Sequence, residues 1–347
     1  MSSTSVGVQP ASRPGGATAR RLAGLARSPS LRVIGRRLLS AIPVLWGVTL
    51  LSFLVMNALP GDAASAMLGI NATPAELHAF SVQLHLNEPL WVRYGHWLGG
   101  VVTGNLGTSL ASGHQSVASI IGQRLPVTLE LVVYALIITL VVSIPLAVLC
   151  ARWPRGIIDR LAMLFSMGSI SIAPYVLALL LIIVFCVDTS VFPSIYSPTS
   201  TIVGNLQNYT LPSIILAVPL IGFYTRFLRA DLLEQMLAED YIVTARAKGV
   251  SEWRVLTRHA LRNSFIGLLT VIGLNLATLI GVTVIVEQIF SLPGIGFELL
   301  NAISNRDVPV VEGIVLVFGT AVVLANLLTD LLYGVLDPRI RHVASRS

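Results

Sequence analysis

Tyr241-Ile-Val-Thr-Ala-Arg-Ala-Lys-Gly-Val-Ser-Glu-Trp-Arg-Val-Leu-Thr-Arg-His-Ala-Leu-Arg-Asn263 is a polar island between two strongly apolar runs. It reads as a short helix stopped at Gly249 and a second helix started by Ser251, since glycine takes the left-handed stop and serine caps an amino terminus. Glu239 and Asp240 stand at the start of the first helix, Arg246 and Lys248 in its last turn. Both placements suit the helix dipole, as does Glu252 in the first turn of the second helix. Such an element is rigid and presents a small-residue tip around Ala245 and Ala247. A solvated loop needs no such order, whereas a docking knob does.

Outward from the island, the chain is built for lipid. Its 347 residues are 54% hydrophobic and only 12% charged, with mean hydropathy +0.79; soluble domains carry about a quarter charged residues. Six apolar runs, at 38–59, 128–150, 160–187, 211–229, 264–289 and 309–332, have about the length that crosses a bilayer. The expected fold is therefore an all-α membrane protein of six transmembrane helices. Residues 1–37 hold seven arginines and no acid among Ser, Gly and Ala, the composition of a disordered arm. A signal peptide cleaved at Ala64-Ser-Ala66 is the alternative for the run 38–59, but that run exceeds the usual apolar signal core of about 7–15 residues. It reads as a first span. Residues 60–126 form a mixed external segment in which Trp91, Tyr94 and Trp97 suit the membrane–water interface. Residues 127–337 form a five-helix core holding the island within a loop at 238–263, and residues 338–347 a tail.

Charge sorts the loops. Of the 23 basic residues, the amino-terminal arm, the 151–160 loop, the 226–262 loop and the tail hold twenty, leaving Arg93, Arg124 and Arg306 for the other face. By the positive-inside rule both termini and the island are cytoplasmic, which an even number of spans requires. Basic residues divided this way form a topology signal and no nucleic-acid surface.

Catalytic constellations are missing. The sole lysine, Lys248, follows Ala247 and precedes Gly249, so it cannot serve a Gly-Lys-Ser/Thr phosphate loop. No HExxH, GxSxG or CxxC occurs. His78, His85, His96, His114, His259 and His342 are scattered over loops, and Cys150 and Cys186 lie in or beside spans without ligand spacing. No catalytic, cofactor-binding or metal site is expected. Glu130, Glu287 and Asp330 fall near span ends. Each reads either as reaching interfacial water or tying helices together, or, for Glu287, as lining the external mouth of a pathway. Pro145, Pro174, Pro212 and Pro219 break the helical ladder inside spans. Gly273, Asn275 and Gly281 give the fifth span a small, polar stripe suited to close packing or to a pathway lining.

Thr244-Ala-Arg-Ala-Lys-Gly249, Arg254-Val-Leu256 and Arg258-His-Ala-Leu-Arg-Asn263 resemble the EAA loop of ABC importer permeases. The match is to the B-type permease of oligopeptide and dipeptide transporters, and it runs over nearly the whole chain after the arm. It includes Leu59-Pro-Gly-Asp62, Asn87-Glu-Pro-Leu90, Gly104-Asn-Leu-Gly107 with Ser109, Arg124-Leu-Pro and Thr128-Leu-Glu-Leu131. Val286-Glu287, Phe290, Leu292-Pro-Gly-Ile-Gly296, Arg306-Asp307 and Leu336-Asp-Pro-Arg339 complete it. Aligned on Gly249, the family's glutamate falls at Val243 and its first alanine at Thr244, departures that suit the peptide branch.

The resemblance implies a type I ABC importer permease fold in a bacterial inner membrane, and the pore-forming subunit of an ATP-driven peptide importer. It implies as partners a second homologous permease, two cytoplasmic ATP-binding subunits or a fused pair, an external peptide-binding protein and membrane lipid, with no nucleic acid. ATP and Mg²⁺ belong to the ATPase partners, and this chain holds no cofactor. Coupling to the ATPases is expected from Thr244, Ala245, Arg246, Lys248 and Gly249, with Arg254, Arg258 and His259 orienting the second helix. Nickel complexes, glutathione or another small solute are the alternative cargo. A secondary transporter, working without an ATPase, and a structural subunit without solute flux are the rival classes.

Overall fold

The computed structural model describes residues 29–58, 73–83, 87–113, 115–188, 192–198 and 202–336. The arm up to residue 28, Leu59-Pro-Gly-Asp62, Ala64-Ser-Ala66, the 338–347 tail and the Asp330 side chain lie outside what is described. Among the described residues helices carry the fold, and the one β-contact is an isolated bridge between Thr108 and Ser116. In chain order the helices are α1 Pro29–Ala58, α2 Pro74–Gln83, α3 Leu90–Val102, α4 Val117–Arg152, α5 Ile157–Ser171, α6 Pro174–Ile182, α7 Ile202–Ala238, α8 Asp240–Ala247, α9 Glu252–Arg254, α10 Leu261–Phe290, α11 Ile295–Ser304 and α12 Val308–Leu336. Among the described residues five helices are long and apolar enough to cross a membrane.

The sixth expected crossing is a broken pair. α5 and α6, the latter prolonged by a π-helical turn to Asp188, meet at a bend of 104°. Pro174 is the cause: it starts α6 and holds Ala173 extended at φ −61°, ψ 136°, because a residue before proline is excluded from the α region. Pro145, Pro212 and Pro219 interrupt nothing, lying inside the continuous helices α4 and α7. Lipid-buried helices tolerate proline where neighbours shield the freed carbonyl. For the same reason α4 passes through Pro126 and begins at Val117, so the last ten residues of the expected external segment, 117–126, belong to the helix of the second span. Its start is set by Ser116, whose hydroxyl accepts the Ser119 N–H at 3.1 Å.

Three apolar clusters stack along the bundle. The outer one joins Phe53 of α1, Tyr94 of α3, Val117 of α4 and Ile314 of α12. The middle one joins Leu131, Leu216 and Phe290. The inner one joins Val148, Leu228, Ile242, Leu256 and Leu268, so the polar island grows directly from it. Tyr94 and Trp97 turn into the outer cluster, and Trp91 alone of the three faces outward at 77% exposure. Leu129, Val133, Ile137 and Val141 stay exposed at four-residue spacing on α4, an apolar stripe that the described residues leave uncovered.

Small residues set the closest helix crossings. Gly222 of α7 lies against Ser166 and Ser169 of α5, and the Ser166 hydroxyl donates to the Gly222 carbonyl at 2.6 Å. Gly273 leaves the slot that Thr329 of α12 fills, as close packing requires. Gly281, its expected companion, has open space before it. Asn275 donates to the Val271 carbonyl of its own helix at 2.8 Å and is half-buried.

A salt bridge locks the inner end. Asp159, 3% exposed at the start of α5, receives the Arg229 guanidinium of α7 on both oxygens, one bond being 2.7 Å, and also the Arg155 N–H at 2.8 Å. Asp159→Ala leaves that guanidinium without its acid, and we expect a loss of about 3 kcal/mol. Thermal melting of the purified complex reads it, and Asp159→Ala with Arg229→Leu recovers most of the loss. Unchanged melting of the single variant would assign the α5–α7 contact to packing alone.

Candidate functional site

The island is an ordered corner between two long rods. α7 carries the fourth span to Ala238, and after an extended Glu239 the chain forms α8. Lys248 ends α8 and Gly249 takes φ +77°. The Gly249 N–H donates to the Arg246 carbonyl at 2.9 Å and the Val250 N–H to the Ala245 carbonyl at 3.2 Å. These are the two bonds of a Schellman stop, with Val250 and Ala245 supplying its apolar contact. Ser251 occupies the following N-cap position, yet its side chain makes no capping bond there.

The second helix does not end before the fifth span. α9 runs through a π-helical segment, Val255–Ala260, into α10, giving one 39-residue rod from Glu252 to Phe290. Displacement of the corner is thereby displacement of span five.

Arg246 holds the corner closed. Its guanidinium donates to both Glu252 oxygens, at 2.7 and 3.1 Å, and to the Met236 carbonyl at 3.1 Å. The carboxylate raises the Arg246 pKa further above its ordinary value, so the charge is permanent. Gln235 at the end of α7 adds a second tie, its oxygen accepting from the Tyr241 hydroxyl at 2.7 Å and the Asn263 amide at 2.9 Å.

Ala245 requires a correction. It is 7% exposed and packs in the inner cluster, so its small side chain fits the chain's own core and is not part of the tip. Thr244, Arg246, Ala247, Lys248 and Gly249 are exposed around the turn, and Arg254 and Arg258 are exposed on the second helix. His259 is half-buried in a concavity with Tyr241, Arg258 and Arg262. Leu237, Val243 and Trp253, at 85, 59 and 49% exposure, add a large apolar surface that sequence reading passed over. The absence of the family's glutamate at Val243 was the available signal, since a valine on the outer side of an otherwise polar corner has no solvent role.

On the opposite face, Glu287 is wholly buried. It accepts the Thr128 hydroxyl at 2.7 Å and the Phe297 N–H at 2.9 Å, while Thr128 oxygen accepts the Ile295 N–H at 2.9 Å. Its carboxylate therefore tethers the start of α11 to α4 and α10 and offers no surface to a solute within this chain. Gly294 and Gly296 leave room for it, since a Cβ on either would strike the carboxylate. Arg124 pairs with Glu298 at 3.4 Å, and Asp307 accepts from the Ser109 hydroxyl and, at 3.1 Å, the Ala111 N–H. The segment before Thr128 and the segment after Glu287 thus form a single plate. Glu130 is exposed, and Glu312, which sequence reading did not weigh, is buried in α12. Among the described residues no group of acids, histidines and cysteines could hold a metal.

Comparison with known proteins agrees with this arrangement. Residues 143–342 match the model of the binding-protein-dependent transport system inner membrane component, and residues 30–132 that of the N-terminal part of such membrane components. A Brucella abortus (strain 2308) protein provisionally named a peptide transport system permease is 41% identical over 312 residues, 89% of this chain and 99% of the relative. The oligopeptide transport system permease AppB of Bacillus subtilis is 37% identical over 88% of this chain and 98% of its own. The glutathione transport system permease GsiC of Escherichia coli is 35% identical over 90% and 99%. With a family match across more than half of its length and relatives aligned almost end to end, the chain belongs to the binding-protein-dependent transport system inner membrane components, as a multi-pass permease subunit of that membrane.

Proposed function

We propose that this permease subunit imports peptides, and that the corner at residues 238–263 transmits the motion of partner ATPases to the spans. The observation that carries the reading is the continuity of the corner with span five, joined to an outward surface of Val243, Ala247, Lys248 and Trp253 that the chain itself leaves uncovered. A rigid element fused to a span conveys displacement as rigid-body movement. Thr244, Lys248, Gly249, Arg254 and Arg258 act at the surface, whereas Ala245 and Arg246 keep the element in shape. The orientation sets this face in the cytoplasm, by the positive-inside rule. A second permease covers the apolar stripe of α4, two ATPase subunits or a fused pair bind ATP and Mg²⁺, and a peptide-binding protein meets the external plate. This chain needs no ATPase site of its own.

Names of the relatives in Brucella and Bacillus support peptides as cargo, and the match to the Escherichia coli permease favours glutathione as the second reading. A strain lacking this chain, complemented with it, should regain uptake of labelled di-, tri- or longer peptides, and the purified complex should show ATPase activity raised by binding protein and peptide. Uptake of glutathione alone would move the assignment to that cargo, and flux without a co-purifying ATPase would overturn ATP-driven import.

A further inference from the structure

The corner has a second face. Between it, the end of α4 and the end of α7 lies a concavity of about 600 Å³ in which Arg152, Arg155, Arg229 and Arg246 meet a single acid, Glu252, over a wall including Leu233. Two of these arginines are already matched, Arg229 by Asp159 and Arg246 by Glu252. Arg152 and Arg155 have no ion pair among the described residues, and the surplus charge of the concavity is theirs.

Both are held in place. The Arg152 guanidinium lies 5.7 Å above the Trp153 ring. Among the described residues Arg155 is one of three non-glycine residues with positive φ, at 65°, and its N–H is anchored on the buried Asp159 carboxylate. A backbone held in this region persists only where its surroundings fix it. The concavity therefore presents two cations, one stacked on an aromatic ring and one carried on an anchored backbone, beside an apolar wall, and its chemistry is that of a phosphate site.

Its surroundings select the source of the phosphate. Arg152 follows directly on the apolar run of α4, so the rim stands at headgroup depth. At that rim Trp153, directly after α4, is 51% exposed, and Ile157 and Leu161, four residues apart on α5, are 78 and 60% exposed. A soluble anion uses only the arginines. A phospholipid uses both features, its phosphate in the concavity and its acyl chains along Ile157 and Leu161, and basic pockets between helix ends at a membrane face recognise anionic headgroups in this way. We propose that this concavity is a binding site for one anionic phospholipid, of the phosphatidylglycerol type. The inference needs the helix ends at a membrane surface and does not depend on the cargo.

The intact transporter complex in nanodiscs of phosphatidylcholine, titrated with phosphatidylglycerol and read by native mass spectrometry, tests it. Wild type should retain one phosphatidylglycerol that Arg152→Gln with Arg155→Gln loses, the affinity falling about five-fold per arginine removed. Each single variant should show its own five-fold step, so the answer does not rest on the double variant's stability. Arg160→Gln, outside the concavity, should bind as wild type. Equal retention by wild type and the double variant would overturn the site. So would an equal loss in Arg160→Gln, which would reveal only general surface attraction, or displacement of the lipid by inorganic phosphate at matching concentration. Binding to the free chain but not to the assembled complex would give the concavity to an acidic partner segment and likewise end the proposal.

Discussion

Gly249→Pro should abolish uptake, while the chain should still insert and assemble with its partners. The residue sits at φ +77°, and a proline ring fixes φ near −65°, so the corner cannot form as it stands. Proline also removes the N–H that bonds the Arg246 carbonyl at 2.9 Å. Once the turn is rerouted, Arg246 and Glu252 no longer face each other across it, and the rod to Phe290 loses its hold on α8. None of these changes touches the apolar faces of the spans, so insertion proceeds. Gly249→Ala is the graded comparison: a side chain in the left-handed region costs about 1–2 kcal/mol, and open space surrounds the position. That variant should keep a reduced rate, with proline at background. Labelled-peptide uptake at equal membrane abundance makes the measurement, and wild-type uptake by Gly249→Pro would remove the corner from the transport cycle.

The corner was legible because its determinants are local. A glycine between a helix ending in basic residues and a helix starting with an acid fixes the stop at Gly249, and the arginine–glutamate tie across it spans six residues. Side-chain direction was less legible: Ala245 and Val243 lie two residues apart on a short helix, and only the position of the inner cluster decides which one faces outward. The broken third span turned on whether one proline would bend its helix, and of the four weighed only Pro174 did. The helices run continuously through Pro145, Pro212 and Pro219, of which Pro212 is buried, Pro219 half-buried and Pro145 exposed, and the apolar pattern does not tell them from Pro174. Least legible was the plate on the face opposite the corner. Ser109, Arg124, Thr128, Glu287, Glu298 and Asp307 read as residues scattered along the chain, yet Thr128 and Glu287 bond across 159 residues and Ser109 and Asp307 across 198. Periodicity reports which face of a helix is apolar, and it carries no information about which distant polar residue that helix will meet.

The plate yields the second large effect. Glu287→Leu should destabilise the complex by about 4 kcal/mol and free α11, whereas Glu287→Gln should cost about 1 kcal/mol. Leucine leaves two buried donors, the Thr128 hydroxyl and the Phe297 N–H, without an acceptor, each costing about 1–3 kcal/mol. It also removes a negative group from the amino terminus of α11, where the helix dipole favours one. Glutamine retains an oxygen for Phe297, and its amide can donate to the Thr128 oxygen, which is already the acceptor for Ile295. The comparison separates hydrogen bonding from charge: if the tether works through its acceptors, glutamine sits near wild type and leucine far below it. Thermal melting together with proteolysis of the Pro293–Arg306 segment reads both quantities. Equal melting of leucine and wild type would show that apolar packing alone holds α11 to α4. Equal loss in glutamine and leucine would mean that the carboxylate's charge, and not its geometry as an acceptor, fastens the two segments of the plate together.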